Sequence, residues 1–503
     1  MNAAQCLLAG GDDASLAVAG VGERWRRGAL REAVARAART WHGLGLSRGE
    51  RVAVKLVDGA DWIIAYLGAI WAGGVAVGVN PRLPSDEWQA MLDEAGFRFL
   101  LADTIDDDAT ARGATTVAIA AWQRELQRAT PVDPLPMDDG EPALWVHSSG
   151  TSGRPKAVVH AHRFALEVER VGRERLGIGA RDRLLASSKL FFTYPLANSV
   201  FTGLKAGATV LLDRRWPSAA DVVATAMAER ASVVFSVPSL YRDMLKLGLA
   251  SALAHAGVRV FVSAGEALSP ALRAQWQERT GATIVDGFGT SETLVLALVD
   301  CGDGRALQAS PGFTVTSLDG NGAPGRLLIR GPSLALGYWR RPDADASHFR
   351  DDGFASSDLF ETAADGWRFA GRDDSLVKVH GRWVDLNALE QGIALACPGM
   401  REAAAVAVAD DDGVDAVALF FVAAADVDVP DETTLRAHAG RLPAYQRPRW
   451  LHRIDSLPRT GTGKLLRRRL RELHRELVAS AMGEPRSAQR TSASSTSATG
   501  ASP

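Results

Sequence analysis

The chain has 503 residues, 47% of them hydrophobic, with 57 Lys and Arg against 59 Asp and Glu. Because a single hydrophobic core stops growing at about 250–300 residues, two or more domains are expected. The balanced charge excludes a global field that would draw the protein to nucleic acid or an anionic membrane, and it favours a small-molecule substrate. Three scattered cysteines, Cys6, Cys301 and Cys397, exclude a disulfide framework and closely spaced zinc ligands, so the cytoplasm is the predicted location.

One stretch near the N-terminus has the character of a membrane span. Residues 62–79 carry no charge and just reach the length of a spanning helix. However, glycines interrupt this stretch, and its second half, Val75–Val79, is β-branched like a buried strand. A packed helix, a Gly-Gly turn and a core strand are therefore predicted, and no membrane span. Asp12 and Asp13 interrupt the apolar N-terminus, so no secretion signal is predicted.

From about residue 30 to residue 300, helical patterns alternate with short apolar runs. Strands that alternate with helices of ten or more residues imply crossover connections, and hence parallel sheets covered on both faces. A large α/β domain is therefore predicted. The runs that predict its strands are Arg51–Val57, Val75–Val79, Phe97–Ala102, Ala143–Val146, Thr209–Leu212, Val233–Ser236, Val258–Ser263 and Thr283–Asp286.

The pattern changes after Gly325 to short strands and turns, including the segment ALGYW at 335–339. This sequence pattern predicts an antiparallel β segment at the end of the large domain. A smaller α+β unit is predicted from about Asp374 to residue 480. Residues 483–503 have no aromatic or large aliphatic side chain, and a segment that can bury so little apolar surface is predicted to be disordered.

A segment rich in small and hydroxyl residues, Ser148–Ala157, follows the predicted strand Ala143–Val146. Small residues let a backbone turn close around phosphate oxygens, hydroxyls and amides donate to those oxygens, and Lys156 supplies a counter-charge. Pro155 before the lysine departs from the ordinary P-loop pattern. Taken alone, the segment is either a phosphate-binding loop or merely a flexible one.

Six motifs occur in a fixed order along nearly the whole chain. They are SSGTSGRPKA at 148–157, SAGEAL at 263–268, DGFGTSET at 286–293, SSDLF at 356–360, GRDDSLVKVHG at 371–381 and PRTGTGK at 458–464. In their order and spacing the chain resembles the adenylate-forming superfamily of acyl-CoA synthetases, adenylation domains and luciferases. The resemblance is closest to the benzoate-CoA ligase branch, through KLFFTY at 189–194, the Asp286-Gly287 pair and VHGRWV at 379–384.

The resemblance implies a reaction, its co-substrates and a domain arrangement. A carboxylic acid, here expected to be an aryl acid, would be activated as its acyl-adenylate with release of pyrophosphate and then passed to coenzyme A. ATP, Mg²⁺ and coenzyme A are therefore implied. The implied regions are a large N-terminal domain (1–371), a hinge (372–376), a small mobile α+β C-terminal domain (377–482) and the tail (483–503).

The resemblance also assigns nucleotide-binding residues. Those that would hold the β- and γ-phosphates are Thr151, Ser152, Gly153 and Lys156. Those that would lie beside adenine are Gly265, Glu266, Ala267, Asp286 and Gly287. Asp358 and Arg372 would contact the ribose hydroxyls, although Ser356-Ser357 stands where the family usually has Thr-Gly. Taken singly, exposed carboxylates and surface salt bridges are the alternatives for the charged residues.

Three residues are implied to act on the reacting groups. Ser291 aligns with a family threonine that contacts the α-phosphate, and Glu292 aligns with the magnesium ligand. One carboxylate beside the phosphates suits Mg²⁺, which prefers hard oxygen ligands. Lys464 matches the lysine whose ammonium bridges the attacking carboxylate and the α-phosphate, where it stabilises the negative charge of the transition state.

The small domain is implied to swing between two conformations, one that inserts the lysine and one that presents another face for thioester formation. A few hinge residues that absorb a backbone rotation are enough for such a motion. Asp374 aligns with the hinge position, and Ser375 stands where the family commonly has a second acidic residue. His380 and Gly381 would line the approach of the thiol.

The acyl pocket is implied to be an aromatic slot without a cationic anchor, which would fit an aryl acid. Its residues would be Phe192, Thr193, Tyr194, Phe288 and Gly289. Ordinary core packing is the alternative for each aromatic ring. Val295 stands where benzoate ligases often have a histidine, so plain benzoate is not singled out as the substrate.

Two further functions remain open at this point. A stand-alone adenylation enzyme would load the acyl group onto the phosphopantetheine arm of a carrier protein by the same chemistry. A nucleotide-binding regulator that has lost catalysis is a more distant alternative, which the presence of Lys156, Glu292 and Lys464 disfavours. The expected partners are a small carboxylic acid, with a carrier protein and a second copy of the chain as further candidates.

Overall fold

The computed structural model describes residues 1–149, 155–300, 302–319, 324–350, 353–372, 376–379, 382–397, 399–410, 415–424, 432–440, 442–459 and 465–481. Several residues singled out by the sequence motifs lie outside these ranges. They are Thr151, Ser152, Gly153, Asp374, His380, Gly381, Lys464 and the tail 483–503.

Up to residue 300 the chain alternates short strands with helices. The described strands are β1 (Leu16–Gly20), β2 (Glu23–Arg26), β3 (Arg51–Lys55), β4 (Val75–Gly78), β5 (Phe99–Ala102), β6 (Thr115–Ala118), β7 (Pro142–Ser149), β8 (Pro155–Ala161), β9 (Arg183–Ala186), β10 (Thr209–Leu212), β11 (Val233–Ser236), β12 (Val260–Ser263), β13 (Ile284–Phe288) and β14 (Leu298–Val299). The α-helices are α1 (Ala3–Leu8), α2 (Arg27–Gly43), α3 (Ala60–Trp71), α4 (Ser85–Ala95), α5 (Asp107–Ala111), α6 (Ile119–Arg128), α7 (Arg170–Leu176), α8 (Thr193–Pro195), α9 (Thr202–Ala206), α10 (Ala219–Ala228), α11 (Pro238–Lys246), α12 (Ala250–His255) and α13 (Pro270–Thr280). A 3₁₀-helix at His162–Leu166 and a π-helix at Leu196–Phe201 complete this part.

After residue 302 strands predominate. They are β15 (Gln308–Ala309), β16 (Thr314–Ser317), β17 (Gly325–Arg330), β18 (Gly337–Tyr338), β19 (Phe349–Arg350), β20 (Gly353–Ala363), β21 (Gly366–Arg372), β22 (Leu376–Val379), β23 (Arg382–Asp385), β24 (Met400–Ala409), β25 (Asp415–Ala423) and β26 (Trp450–Arg453). The helices are α14 (Pro342–His348), α15 (Leu386–Ala396), α16 (Glu432–Ala439) and α17 (Arg467–Ala481), with a 3₁₀-helix at Ala444–Gln446.

Two large sheets form the body of the N-terminal domain. In the first, parallel strands follow the order β13, β12, β11, β9, β10 and β1. In the second, parallel strands follow the order β7, β4, β3, β5 and β6. The predicted α/β class with parallel sheets is therefore confirmed. The apolar runs did not indicate three short strands: β9, which lies inside the first sheet between β11 and β10, β1, which follows β10 in that sheet, and β6, which lies at the edge of the second sheet.

The main core lies between the two sheets. Val233 of the first sheet and Val52 of the second belong to the same buried cluster. On its other face the first sheet packs against α10–α13, where Val234 and Trp276 share a second cluster. The outer face of the second sheet packs against α4. Because buried clusters cover both faces of β11–β13, the carboxyl ends of these strands are the edge at which a ligand would be expected.

The described residues of the segment predicted as a phosphate loop belong to two paired strands. β7 continues to Ser149, β8 begins at Pro155, and Ser148 lies directly opposite Lys156. The sequence prediction overestimated the loop because small residues obscured the β-branched pattern of the following strand, which contains Val158 and Val159. Only residues 150–154 connect the two strands, so Lys156 stands on a regular strand at one end of the connection.

The segment ALGYW belongs to a different sheet from the one predicted. β18 pairs with β8, with Tyr338 opposite Val158, and so joins the edge of the seven-stranded second sheet. The antiparallel β segment is instead formed by β16, β17, β20, β19 and β21, and it begins at Thr314, before the predicted change at Gly325. The sequence of a two-residue strand does not indicate which strand it pairs with, and β8 is distant from β18 in the sequence.

Residues 62–79 form a buried helix and strand, as the sequence analysis predicted. Helix α3 leads through Gly73, whose φ is +81°, into β4 at the centre of the second sheet. A Cβ on Gly78 would lie 2.8 Å from Trp62 Cζ2, so the strand and helix pack too closely for a larger residue. In the part of the chain that the structure describes, no helix combines the length and apolarity needed to cross a bilayer.

The smaller C-terminal domain contains the hairpin β22–β23 and the three-stranded sheet β24–β25–β26, with α15 and α17 packed beside β24. It therefore has the predicted α+β character. Among the described residues, two hydrogen bonds join it to the N-terminal domain. Gln391 Nε2 donates to Ala267 O at 2.6 Å, and Lys246 Nζ donates to Met400 O at 3.3 Å.

Candidate active site

Tyr338 lies between Lys156, which the motifs assign to the phosphates, and Glu292, which they assign to the magnesium ion. Its hydroxyl donates to Glu292 Oε1 at 2.7 Å, and the ammonium of Lys156 is 5.1 Å from the centre of its ring. Burial and the neighbouring Glu292 carboxylate raise the pKa of Tyr338, so the phenol stays protonated and donates. The sequence analysis did not identify Tyr338, since β18 reaches this position only through its pairing with β8.

A tight turn after β13 presents Ser291 and Glu292. A Cβ on Gly289 would lie 2.8 Å from Val295 O, so the chain can double back here only with a glycine. Leu294 in the same turn has a φ of +67°, a left-handed conformation that is uncommon for a branched residue. The Glu292 residue is 7% exposed. The turn thus holds a nearly buried carboxylate beside the hydroxyl of Ser291.

The Ser291 hydroxyl connects this turn to the acyl segment, which is the stretch 190–194 that contains the predicted acyl-pocket residues Phe192, Thr193 and Tyr194. Thr193 Oγ1 lies 3.2 Å from Ser291 Oγ, within hydrogen-bond distance. His160 lies on the other side of Ser291, with its Nε2 2.8 Å from the Ser291 carbonyl oxygen. Burial lowers the pKa of His160 to about 4, so the imidazole is neutral at pH 7. The residue assigned to the α-phosphate therefore directly adjoins a residue assigned to the acyl group.

The predicted acyl-pocket residues are partly exposed, whereas their neighbours are buried. Phe192, Thr193 and Tyr194 have intermediate exposure between the buried Phe191 and Pro195. Part of each of these residues is therefore accessible, while Tyr194 and Phe288 also pack against the main core. Two further members of the set, Phe288 and Gly289, also have intermediate exposure.

Contacts with rings of other elements hold these side chains in place. The Tyr194 ring meets Phe235 edge-on with centroids 6.0 Å apart, and its hydroxyl donates to Val262 O at 3.2 Å. The Phe288 ring meets Phe360 of β20 edge-on at 4.9 Å. The acyl segment is therefore attached to the carboxyl ends of β11 and β12, while Phe288 is supported by the antiparallel β segment.

Asn198 joins the two sides of this region, and the sequence analysis did not identify it. Its Nδ2 donates to Tyr194 O at 3.0 Å, and its Oδ1 accepts from Leu296 N at 3.3 Å. Asn198 lies in the π-helix Leu196–Phe201, whose residues are all buried. Single wide turns of this kind are frequent at functional sites. The amide side chain thus couples the acyl segment to the turn that follows Glu292.

The residues assigned to adenine come together on neighbouring strands. Ser263, just before the Gly265 turn, pairs in register with Asp286. Glu266 accepts hydrogen bonds from Ser239 N at 3.1 Å and Ser239 Oγ at 2.9 Å, which anchors the turn to the start of α11. Gly265 has a φ of +84°, a conformation that favours glycine.

Asp286 is a partly buried carboxyl between an arginine and a second carboxylate. Burial raises its pKa to about 7, a rise that Arg273 opposes and Asp300 reinforces. Arg273 Nη2 lies 3.9 Å from the Asp286 carboxylate, and the Asp286 backbone amide donates to Asp300 Oδ1 at 2.9 Å. Gly287 follows at a position where a Cβ would come within 2.7 Å of Leu296. The carboxyl therefore titrates near neutral pH at a site assigned to adenine.

The two residues assigned to the ribose face each other across a strand pair. Asp358 of β20 lies opposite Arg372, the last residue of β21. The Ser356 hydroxyl accepts from Leu327 N at 3.0 Å and donates to Asp358 O at 2.7 Å. Ser356, which stands where the family usually has a threonine, therefore ties β20 to β17 and holds the backbone of Asp358.

Comparison with known proteins identifies the family. Residues 9–339 match the family of AMP-binding enzymes, and residues 391–464 match the AMP-binding enzyme C-terminal domain. The 3-hydroxybenzoate–CoA/4-hydroxybenzoate–CoA ligase of Thauera aromatica is 35% identical over 464 residues, which cover 86% of this chain and 88% of that protein.

Solved structures give the same result. The anthranilate CoA ligase AuaEII in complex with anthranoyl-AMP matches with a TM-score of 0.86 and 25% identity, over 95% of this chain and 98% of that chain. The benzoate CoA ligase from Burkholderia xenovorans LB400 matches with a TM-score of 0.82 and 27% identity, over 94% of this chain and 100% of that chain. The chain therefore belongs to the AMP-binding enzyme family of adenylate-forming enzymes, in its benzoate–CoA ligase branch.

Proposed function

We propose that this chain is an AMP-forming acid–thiol ligase that joins an aryl carboxylic acid to coenzyme A. ATP and the acid would give an acyl-adenylate and pyrophosphate, and the thiol of coenzyme A would then displace AMP. The observation that carries the proposal is the 3.2 Å contact between Thr193 Oγ1 and Ser291 Oγ. It joins an aromatic, half-exposed segment to the turn that bears a nearly buried carboxylate.

The charges around this contact suit phosphoryl chemistry. The substrate carboxylate is already ionised, so its attack on the α-phosphate needs no general base, only stabilisation of negative charge. Lys156 would face the departing pyrophosphate, and Lys464 would bridge the attacking oxygen and the α-phosphate. Glu292 would provide a protein oxygen to Mg²⁺, because such sites usually take one or two carboxylates and complete the shell with phosphates and water. The Tyr338 hydroxyl would orient that carboxylate.

The aryl acid is the substrate class that the pocket residues favour. The side chains proposed to line it, from Phe192, Thr193, Tyr194 and Phe288, bring aromatic surface and one hydroxyl but no cation for a second carboxylate. The Thauera aromatica relative acts on hydroxybenzoates, as its name states. Hydroxy- and amino-substituted benzoates are therefore the first candidates, with plain benzoate as the comparison.

The remaining assignments extend this proposal. Residues 1–371 would bind ATP and the acid, and residues 377–482 would rotate about Asp374 between the two half-reactions. His380 and Gly381 would then line the thiol's path. The cytoplasm is the proposed location, with the tail 483–503 disordered, and a homodimer is the proposed assembly to be tested by its mass in solution.

An acid panel tests the proposal. Acid-dependent exchange of labelled pyrophosphate into ATP should appear with hydroxybenzoates, aminobenzoates or benzoate and be much weaker with aliphatic acids. The thiol is then tested by comparing free coenzyme A with a phosphopantetheinyl carrier protein as acceptor of the preformed adenylate. Preference for the carrier would favour the stand-alone adenylation enzyme, and the absence of exchange with every acid would favour a nucleotide-binding regulator.

A further inference from the structure

We propose that Asp58 is a positioning residue for the acyl segment 190–194, a role that rests on the proposed function. Asp58 lies between β3 and α3 and is 5% exposed. Its Oδ1 accepts a hydrogen bond from Leu190 N at 3.2 Å, and its Oδ2 is 3.5 Å from Lys189 Nζ. One buried carboxylate therefore holds Leu190, the first residue of the acyl segment, and Lys189 directly before it.

Lys189 extends this anchor to the other large sheet. It is 6% exposed, and its ammonium donates to Asp213 O at 2.7 Å, directly after β10. Because Asp58 follows β3 of the second sheet, the lysine side chain joins the two sheets at their junction. Separating a buried pair leaves an uncompensated charge and is strongly unfavourable. The start of the acyl segment is thus fixed relative to both sheets.

The rest of the segment has little freedom to compensate for a shift at its start. The Cα of Phe191 lies 3.2 Å from the position that a Cβ on Gly78 would occupy, so the backbones of β4 and the segment are in close contact. Farther along, Thr193 is within 3.2 Å of Ser291 through their hydroxyls. A displacement of Leu190 would therefore move Phe192 and Thr193 relative to the turn that carries Ser291.

Such a displacement would weaken the binding of the aryl acid and leave the binding of ATP unchanged. Asp58 and Lys189 contact the acyl segment, whereas the residues proposed for adenine lie on β12, β13 and the turns after them. Misplacement of a reacting group by about 1 Å can lower a rate about 100-fold. Burial raises the pKa of Asp58 to about 6, so assays at pH 8 keep its carboxylate ionised and paired with Lys189.

Two substitutions separate the roles of this carboxylate. Asp58→Ala removes both contacts, whereas Asp58→Asn keeps an oxygen that can accept from Leu190 N. In acid-dependent pyrophosphate exchange at pH 8, we expect Asp58→Ala to raise the KM for the aryl acid by about 10- to 100-fold with an unchanged KM for ATP. Asp58→Asn should have a much smaller effect, with a KM for the aryl acid within a few-fold of that of the unsubstituted protein.

Asp106→Ala is the matched control. It breaks another partly buried Lys–Asp pair, with Lys55 Nζ 2.9 Å from Asp106 Oδ2, at the end of the same strand β3 but away from the acyl segment. We expect it to lower the melting temperature without moving the KM for the acid. Should Asp58→Ala fail to fold, the double variant Asp58→Leu with Lys189→Met replaces the pair by apolar groups, which such sites often tolerate.

The double variant should fold and still show the raised KM for the acid, because Leu190 N loses its acceptor. A KM for the aryl acid that stays unchanged in a folded Asp58 variant would overturn the inference, as would equal rises in the KM for the acid and for ATP. Failure of the proposed function would look different, since the unsubstituted protein would then show no exchange with any acid.

Discussion

Asp286, the residue assigned to the adenine amine, has a pKa shifted towards neutral pH, and we therefore expect nucleotide binding to depend on pH. Burial raises its pKa to about 7, and only the ionised form can accept a hydrogen bond from the amine with both oxygens. A group with this pKa is about one-eleventh ionised at pH 6 and about ten-elevenths ionised at pH 8. We therefore predict that the KM for ATP falls about tenfold from pH 6 to pH 8.

The control for this prediction is Asp286→Asn, whose amide oxygen accepts at every pH, so its KM for ATP should lack this dependence. The same group has an opposite effect on folding. Its pKa is higher in the folded than in the unfolded protein, so its contribution to stability is complete below about pH 4 and is lost as the pH rises through 7. If Asp286→Asn keeps the full pH dependence, another group controls ATP binding.

Single residues also show what the sequence could and could not predict. Glu292, Ser291 and Asp286 could be proposed as site residues from the sequence because each lies within a contiguous motif. Tyr338 and Asn198 were missed because their roles depend on contacts with residues distant in sequence, namely Glu292 and Leu296. A tyrosine in a two-residue strand and an asparagine in an apolar helix carry no signal of such contacts by themselves.

Among the elements, the turn after β13 controls the geometry of the candidate site. Gly289→Ala would place a Cβ 2.8 Å from Val295 O and 3.2 Å from Leu296 Cα, both backbone atoms that cannot rotate away. Overpacking of this kind costs about 1–3 kcal/mol. We predict that Gly289→Ala lowers the unfolding free energy, measured in urea, by this amount. It should also lower the pyrophosphate exchange rate, because the turn carrying Ser291 and Glu292 must move.

Gly140→Ala serves as the comparison, since a Cβ at this exposed turn would meet no atom within 4 Å. It should leave both the unfolding free energy and the exchange rate nearly unchanged. Equal behaviour of the two alanine variants would show that the turn after β13 tolerates a side chain and that its close backbone approach is not required.

Helices and strands were predicted correctly where the local sequence pattern determines the secondary structure. The glycines and β-branched residues of 62–79 were enough to predict α3 and β4, and the alternation of strands and helices was enough to predict parallel sheets. The prediction failed where pairing is decided over long distances. β18 joins the second sheet beside β8, and β7 with β8 forms a hairpin where a longer loop was predicted.

At the scale of the whole molecule, the two domains meet beside the proposed adenine site. Gln391 of α15 donates to Ala267 O in the turn after β12, and Lys246 of α11 donates to Met400 O. A rotation of the C-terminal domain would have to break these two bonds, each of modest net strength when exchanged for water. The described contacts are therefore compatible with the proposed alternation of conformations, which would bring Lys464 to the site for only one of the two half-reactions.

The most direct test of the account compares those half-reactions in Lys464→Ala. Adenylate formation is followed by acid-dependent pyrophosphate exchange, and thioester formation by the reaction of a preformed aryl-adenylate with coenzyme A. We predict that the variant loses exchange almost completely while ATP binding and thioester formation remain close to those of the unsubstituted protein. Exchange at the unsubstituted rate in Lys464→Ala would contradict the proposal that this lysine completes the site between the domains.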